Sequence, residues 1–464
     1  MNAPSRRDVS VAAIALAMLG AARNAQAQTP PAEAPLSDDQ IRAILAERVG
    51  SEAPGMVIGL VSRQGRRIVS HGAFGISDKR PVAADTIFGI ASVSKAFTGF
   101  LLPDAIRRKE VKLDDPVARY LPTGVKLPER NGRKITLMDL ATHTSGLPHE
   151  LPPELQAAAR AGPAREARAF TYKYLADWKL PTDIGSTWSY SNLEYGVIAF
   201  ALEQRTGLAY DQLLRTRILD PLKLDDTAIT LSPSQWERRA HPHTSEVTAS
   251  PEFNKPWSIS TLQSTANDLL TFLAAATGIT PSPLKPSFDA MLSIRRPAPM
   301  LGQGAEQSIG WYVHPFNGRP IIGHSGSGGG FGGTALFDPA AQIGVVLLAN
   351  AENIWEDVAA HSLRPSLPLN KKDTGIVLTD AVLDSYVGRY TDGAGAAWVV
   401  VREPTGLILR HPQGYRVPLI PQTETRFSVP SFPNLSVVFD RGPDARPSSL
   451  TWTLNGVATI AKRE

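Results

Sequence analysis

Residues 319–348 read RPIIGHSGSGGGFGGTALFDPAAQIGVVLL. Three strand-like runs lie in that stretch, at 319–323, 332–337 and 342–348, and Asp338-Pro339 separates the last two. Short apolar runs bounded by turn residues predict strands. Residues 353–363 then carry helical spacing and predict a helix covering that sheet. Gly323-His324-Ser325-Gly326 ends the first strand and opens the glycine-rich run 326–333. Glycines there let a ligand's backbone approach the strand edge, which can then pair with a peptide-like ligand and offer an N–H to an oxyanion.

Working outward, Ser37-Asp38-Asp39-Gln40 starts a helical apolar period through Val49, with Ser37 or Asp38 as its cap. Residues 56–62 and 67–74 flank Gln64-Gly65 and predict a β-hairpin. A second helix is predicted from about Ser92 to Arg108, kinked at Pro103. Residues 113–278 read as mostly helical with proline-marked loops. After a polar, proline-marked linker at 365–373 the texture changes. From Tyr386 onward, short alternating runs joined by Gly and Pro turns predict an all-β module, a small barrel or sandwich.

Composition narrows the function classes. The chain has 464 residues, 48 Lys+Arg against 44 Asp+Glu, and no cysteine. A disulfide framework, a thiolate nucleophile and a cysteine metal site are thereby excluded. Arg6 and Arg7, the short apolar run 9–22 and Ala25-Gln26-Ala27 predict a signal peptide over residues 1–27, too short to span a bilayer. Ser5-Arg6-Arg7-Asp8-Val9 also fits a twin-arginine export signal. The expected location is therefore outside the cytoplasm, periplasmic or secreted. Removing the leader takes away three Arg and one Asp, and the formal charge falls from +4 to +2. With no basic run, nothing points to nucleic acid, and no later window is long and apolar enough for stable membrane insertion.

The chemistry gathers at Ala91-Ser92-Val93-Ser94-Lys95. Positions i and i+3 share a helix face, so the Ser92 hydroxyl and the Lys95 amine come within reach. A lysine whose neutral form is favoured can take the serine proton and make it a nucleophile. Tyr190-Ser191-Asn192, the only Tyr-x-Asn in the chain, adds a candidate phenolic base and an amide that can orient a substrate carbonyl.

Taken in order, Ser92-x-x-Lys95, Tyr190-x-Asn192 and His324-Ser325-Gly326 resemble the serine hydrolases of the penicillin-binding protein and class C β-lactamase group. Supporting phrases are VKLDDPV (111–117), ITLMDLATHTSGLP (135–148), YSNLEYG (190–196), PLKLDDT (221–227), STANDLLTFL (264–273) and IGWY (309–312). The resemblance implies an α/β (α+β) fold: an antiparallel sheet flanked by helices, and a helical subdomain with the active site between them. It implies Ser92 as acylated nucleophile, Lys95 and Tyr190 as the acid/base pair, and Asn192 holding the substrate amide or the lysine. The backbone N–H groups of Ser92 and Ser327 would form an oxyanion hole, with His324, Ser325 and Gly326 lining the substrate. The C-terminal module, introduced by Leu383-x-x-Tyr386-x-Gly388-x-Tyr390, resembles a lipocalin-like barrel.

The resulting organisation is a signal peptide (1–27), a β-lactamase-like serine hydrolase domain (28–364), a linker (365–377) and a small β-barrel (378–464). The expected activity is hydrolysis of amide or ester bonds through an acyl-enzyme. Expected substrates are D-amino-acid peptides or amides and small esters, with β-lactams also possible. The alternative is a non-catalytic penicillin-recognising or peptidoglycan-binding protein of the same fold. One departure bears on the substrate: the β-lactamases usually carry Lys-Thr-Gly where this chain has His324-Ser325-Gly326. Histidine is mostly neutral near pH 7 and is no permanent cation for a substrate carboxylate.

No cofactor and no metal is called for, and the partner is a small-molecule or peptide substrate; oligomeric state is not legible. His241-Pro-His243 lacks a further ligand at metal spacing. Gly328-x-Gly330-x-x-Gly333 lies between strands and so is not a dinucleotide turn, and Ser282-Pro-Leu-Lys285 sits in a proline-rich loop. His143 and His149 read as loop or supporting residues. Trp188 and Trp311 read as packing or pocket lining.

Overall fold

The computed structural model describes residues 33–464 apart from 51–52, 153, 157, 159–163, 244–261, 317, 371–374, 404–405, 413–415, 430–434, 443–445 and 455. The signal-peptide reading of residues 1–27 lies outside the described residues.

An eight-stranded sheet organises the larger part of the chain. Its strands are β1 (Gly55–Ser62), β2 (Gly65–Gly72), β3 (Arg296–Pro297), β4 (Glu306–Gln307), β5 (Tyr312–Phe316), β6 (Arg319–Gly328), β7 (Phe331–Asp338) and β8 (Ile343–Ala349). Across the sheet the order is β2-β1-β8-β7-β6-β5-β4-β3, antiparallel at every step. Strand β6 runs on past Gly323 to Gly328, because its pairing with β7 continues to Gly328 opposite Phe331. The His-Ser-Gly segment therefore lies within a strand rather than after one.

Side-chain alternation sorts the core into two layers. Val57 and Val61 of β1 and Val346 and Leu348 of β8 pack into one layer. Met56, Ile58 and Leu60 with Val345 and Leu347 pack into the other. Helices cover both faces, which is why the central strands read as unbroken apolar runs. On the first face lie the Ser94–Arg107 and Ala266–Thr277 helices, where Phe97 stacks on Phe272 with centroids 4.2 Å apart. On the second lie Asp38–Arg48, capped by Ser37 in a capping box with Gln40, and Glu356–Leu363, the expected covering helix. A buried cluster ties this layer together: Asp338 receives Arg319 at 2.7 Å and Arg364 at 2.6 Å.

The helical subdomain inserts between β2 and β3 and includes Leu137–Ala141, Ala164–Asp177 and Asn192–Thr206. A small hairpin, Glu129–Arg130 with Arg133–Lys134, interrupts the stretch read as helical. Its turn is Asn131-Gly132, both at positive φ, the pairing a two-residue hairpin loop demands.

The C-terminal region is a closed eight-stranded barrel: β9 (Gly388–Asp392), β10 (Ala397–Glu403), β11 (Gly406–Arg410), β12 (Arg416–Pro421), β13 (Arg426–Ser428), β14 (Leu435–Arg441), β15 (Pro447–Leu454) and β16 (Val457–Arg463). Strand β9 closes onto β16 with Tyr390 opposite Arg463. Tyr386, Tyr390, Phe427 and Phe439 fill its interior. A short helix, Asp380–Tyr386, leads into it and was not expected from the sequence. Among the described residues no helix is long and apolar enough to cross a membrane.

Candidate active site

The turn before the Ser94–Arg107 helix presents Ser92. Ala91–Val93 form one 3-10 turn, and Ala91 sits at φ 44°, a left-handed conformation that costs a non-glycine residue free energy. Lys95 lies in the first turn of that helix, and its Nζ lies 3.1 Å from Ser92 Oγ. The Tyr190 hydroxyl donates to the same Oγ at 2.8 Å. Lys95 Nζ also donates to Asn192 Oδ1 and lies 4.8 Å from the centre of the Tyr190 ring. Residues from two separate stretches, 92–95 and 190–192, thus converge on one oxygen.

The strand edge closes the other side. A Cβ placed on Gly326 would lie 2.3 Å from the Ser92 backbone nitrogen, so only glycine allows β6 this close to the Ser92 turn. His324 stacks on Tyr312 with centroids 4.3 Å apart and lies 6.3 Å from the Tyr190 ring. Ser325 turns away: its hydroxyl donates to Glu356 at 2.7 Å on the opposite face of the sheet. Ser327 follows Gly326 on the same strand, opposite Gly332 of β7. The structure therefore brings together Ser92, Lys95, Tyr190, Asn192, His324 and Gly326, and directs the Ser325 side chain elsewhere.

Burial sets the protonation states. Lys95 is fully enclosed, which lowers its pKa to about 7 against the opposing pull of Glu150 and Glu194. His324 is equally enclosed, and burial, with Lys95 beside it, lowers its pKa to about 3, so the ring is neutral. Its Nδ1 contacts the Ser325 carbonyl at 2.8 Å and must carry the hydrogen there, since a carbonyl only accepts.

A supporting layer, invisible to motif reading, lies beneath. His143 is wholly buried at φ 55°, its ring centred 4.7 Å from that of Tyr190. Its Nδ1 accepts the Ser191 N–H at 3.2 Å and meets Glu194 Oε2. The other Glu194 oxygen accepts from the hydroxyl and the backbone N–H of Ser145. Burial pushes the Glu194 carboxyl well above, and the His143 ring well below, their ordinary ranges. The contact is thus a neutral acid donating to a neutral imidazole, and Nδ1 accepts from both partners. Glu150 is the second group that spacing did not reveal: its Oε1 accepts from Asn192 Nδ2, so both ends of that amide are engaged. A glutamate within the phrase 190–196 was the one available signal for Glu194. His149 Nδ1 meets the Tyr190 carbonyl at 3.2 Å.

Ser282 caps the Leu284 N–H, and Lys285 pairs with Asp289. His241 faces Asp78 at 3.2 Å, and His243 donates to the Asn350 carbonyl at 2.9 Å. Trp311 is core, packed on Phe272 and Phe337. Among the described residues no cluster of His, Asp or Glu is placed to hold a metal ion.

The family model described as Beta-lactamase matches residues 41–364. The chain is 33% identical over 319 residues to the D-alanyl-D-alanine-carboxypeptidase/endopeptidase AmpH of Escherichia coli (strain K12), covering 64% of this chain and 80% of that protein. It is 25% identical over 433 residues to penicillin-binding protein 4* of Bacillus subtilis (strain 168), covering 85% and 92%. Among solved structures, a class C β-lactamase from Rhodobacter sphaeroides superposes with TM-score 0.59 at 25% identity, over 71% of this chain and 98% of that one. An octameric penicillin-binding protein homologue from Pyrococcus abyssi superposes with TM-score 0.64 at 22% identity over 92% of this chain and all of the other, a likeness of fold that reaches into the barrel.

Proposed function

The chain belongs to the beta-lactamase family of serine hydrolases, and from that premise we propose that it is exported and cleaves amide or ester bonds through an acyl-enzyme on Ser92. The observation that carries this reading is the convergence of the Lys95 amine and the Tyr190 hydroxyl on Ser92 Oγ, at 3.1 and 2.8 Å.

With Lys95 neutral, its lone pair takes the Oγ proton as Oγ attacks the substrate carbonyl carbon. The oxyanion that forms is held by the N–H groups of Ser92 and Ser327. Collapse breaks the C–N or C–O bond, and the Tyr190 hydroxyl protonates the departing atom while Lys95 returns the proton to Tyr190. Water then attacks the ester on Ser92 by the same relay, releasing the acid. Asn192, fixed at both ends, holds Lys95 in line.

Substrates are D-amino-acid peptides or amides and small esters rather than carboxylate-anchored β-lactams, since His324 supplies no cation. The test compares mature wild type with Ser92→Ala on a p-nitrophenyl ester, a D-alanine anilide and a chromogenic cephalosporin. Turnover of the first two that vanishes in Ser92→Ala supports the reading. Failure to turn over or acylate with any of the three hands the site to a binding role. Export is tested by N-terminal sequencing of secreted protein, which should begin at Gln28; retention of residues 1–27 refutes it.

A further inference from the structure

Resting on the hydrolase reading, we propose that Glu150 is a subsite for a cationic amine, so that the enzyme selects substrates whose acyl part carries a free ammonium and discriminates against those carrying a carboxylate there. Glu150 is half-buried and so open to solvent, and its Oε1 is engaged by the Asn192 amide. Among the described residues no lysine, arginine or histidine forms an ion pair with it, whereas most of the partly buried carboxylates described have such a partner. This carboxylate, bonded to the amide that holds the Lys95 amine, has acceptor capacity and no cation in direct ion-pair contact, although its charge reaches Lys95 and His149. A charge placed so satisfies itself by drawing an ammonium from the ligand.

A second observation has the same sign. His324 Nδ1 spends its hydrogen on the Ser325 carbonyl, so Nε2 carries a lone pair, and that atom is buried with no partner. It too accepts and does not donate. Of the two carboxyls that act on Lys95, Glu150 and Glu194, the second is engaged by His143 and Ser145. Apart from the donors around Ser92 Oγ and the oxyanion, Glu150 and His324 thus present acceptors. A ligand bringing N–H donors completes it, and a ligand bringing a carboxylate meets Glu150 with like charge.

The competing account is that Glu150 only orients Asn192. Glu150→Gln separates the two, because the amide oxygen still accepts from Asn192 Nδ2 while the charge is lost. The probes are D-alanine p-nitroanilide, its N-acetyl derivative and its N-succinyl derivative, with p-nitrophenyl acetate as the uncharged reference. Wild type should prefer the free amine over the N-acetyl form by roughly 10- to 100-fold in kcat/KM, and over the N-succinyl form by more, the range a charge-assisted hydrogen bond supplies. The amine-to-acetyl ratio should fall at least tenfold in Glu150→Gln and invert towards N-succinyl in Glu150→Lys. Equal ratios in wild type and Glu150→Gln, or a wild-type preference for the N-succinyl form, overturn the subsite. Ser92-dependent hydrolysis of p-nitrophenyl acetate without amine preference refutes this inference and leaves the hydrolase reading standing. Absence of that hydrolysis removes both.

Discussion

The Lys95 amine is the point at which structure makes a number. Burial takes it from 10.5 to about 7. At pH 7.5 a group titrating there is neutral in roughly three molecules of four, against about one in a thousand for an ordinary lysine. Only the neutral amine can take the Ser92 proton, so acylation should rise with pH through a midpoint near 7 and level off above. Between pH 7.5 and 5.5 kcat/KM on p-nitrophenyl acetate should drop roughly 25-fold. Replacing Lys95 by arginine keeps the charge and removes the titration, because a guanidinium stays protonated throughout. Stopped-flow acylation of Lys95→Arg should then be slower by on the order of 10³-fold, with the acidic limb gone. A flat wild-type profile from pH 5.5 to 8.5, or a Lys95→Arg rate within tenfold of wild type, would refute the assignment of Lys95 as base.

Three further outcomes follow from the geometry. Gly326→Ala must push β6 off the Ser92 turn, since the new Cβ meets the Ser92 nitrogen at 2.3 Å; acylation should fall more than 100-fold while circular dichroism stays native, and wild-type rates would contradict the close approach. Glu194→Gln reproduces the neutral acid, its amide donating to His143 and its oxygen accepting from Ser145, so kcat/KM and the pH midpoint should stay within about threefold of wild type; a tenfold loss would mean that Glu194 works as an anion. Asp338→Asn removes the carboxylate charge shared by two buried guanidinium groups, Arg319 and Arg364, and should cost about 3–5 kcal/mol in urea unfolding; a change under 1 kcal/mol would contradict a structural role for that cluster.

The three motifs and most of the sheet were legible because their signals are local. A serine three residues before a lysine, a glycine where two backbones touch, and alternating apolar runs each announce themselves along the chain. The cap of the first helix was legible to within one residue, Ser37 or Asp38, for the same reason, and it is Ser37. What escaped depends on partners distant in sequence. Glu150 matters only because Asn192, 42 positions on, turns its amide towards it. Glu194 stands out only once folding places His143 and Ser145 against it. The extension of β6 to Gly328 was hidden because glycine carries no strand signature, and the pairing comes from the β7 backbone. The Asn131-Gly132 turn was visible and overlooked, its flanking charged residues offering no apolar alternation. Asp380–Tyr386 is one short amphipathic turn abutting a strand-rich region, where periodicity has too few residues to speak.

A covalent bond to Ser92 is the claim on which all the rest depends. Intact-mass spectrometry of the mature enzyme, quenched in acid during turnover of a slow p-nitrophenyl ester, should show the protein heavier by one acyl group, and peptide mapping should place that group on Ser92. The mass should return to its starting value once substrate is exhausted, and Ser92→Ala should never gain it. Acyl transfer to any other residue, or substrate turnover with the protein mass unchanged under quench, would contradict the mechanism.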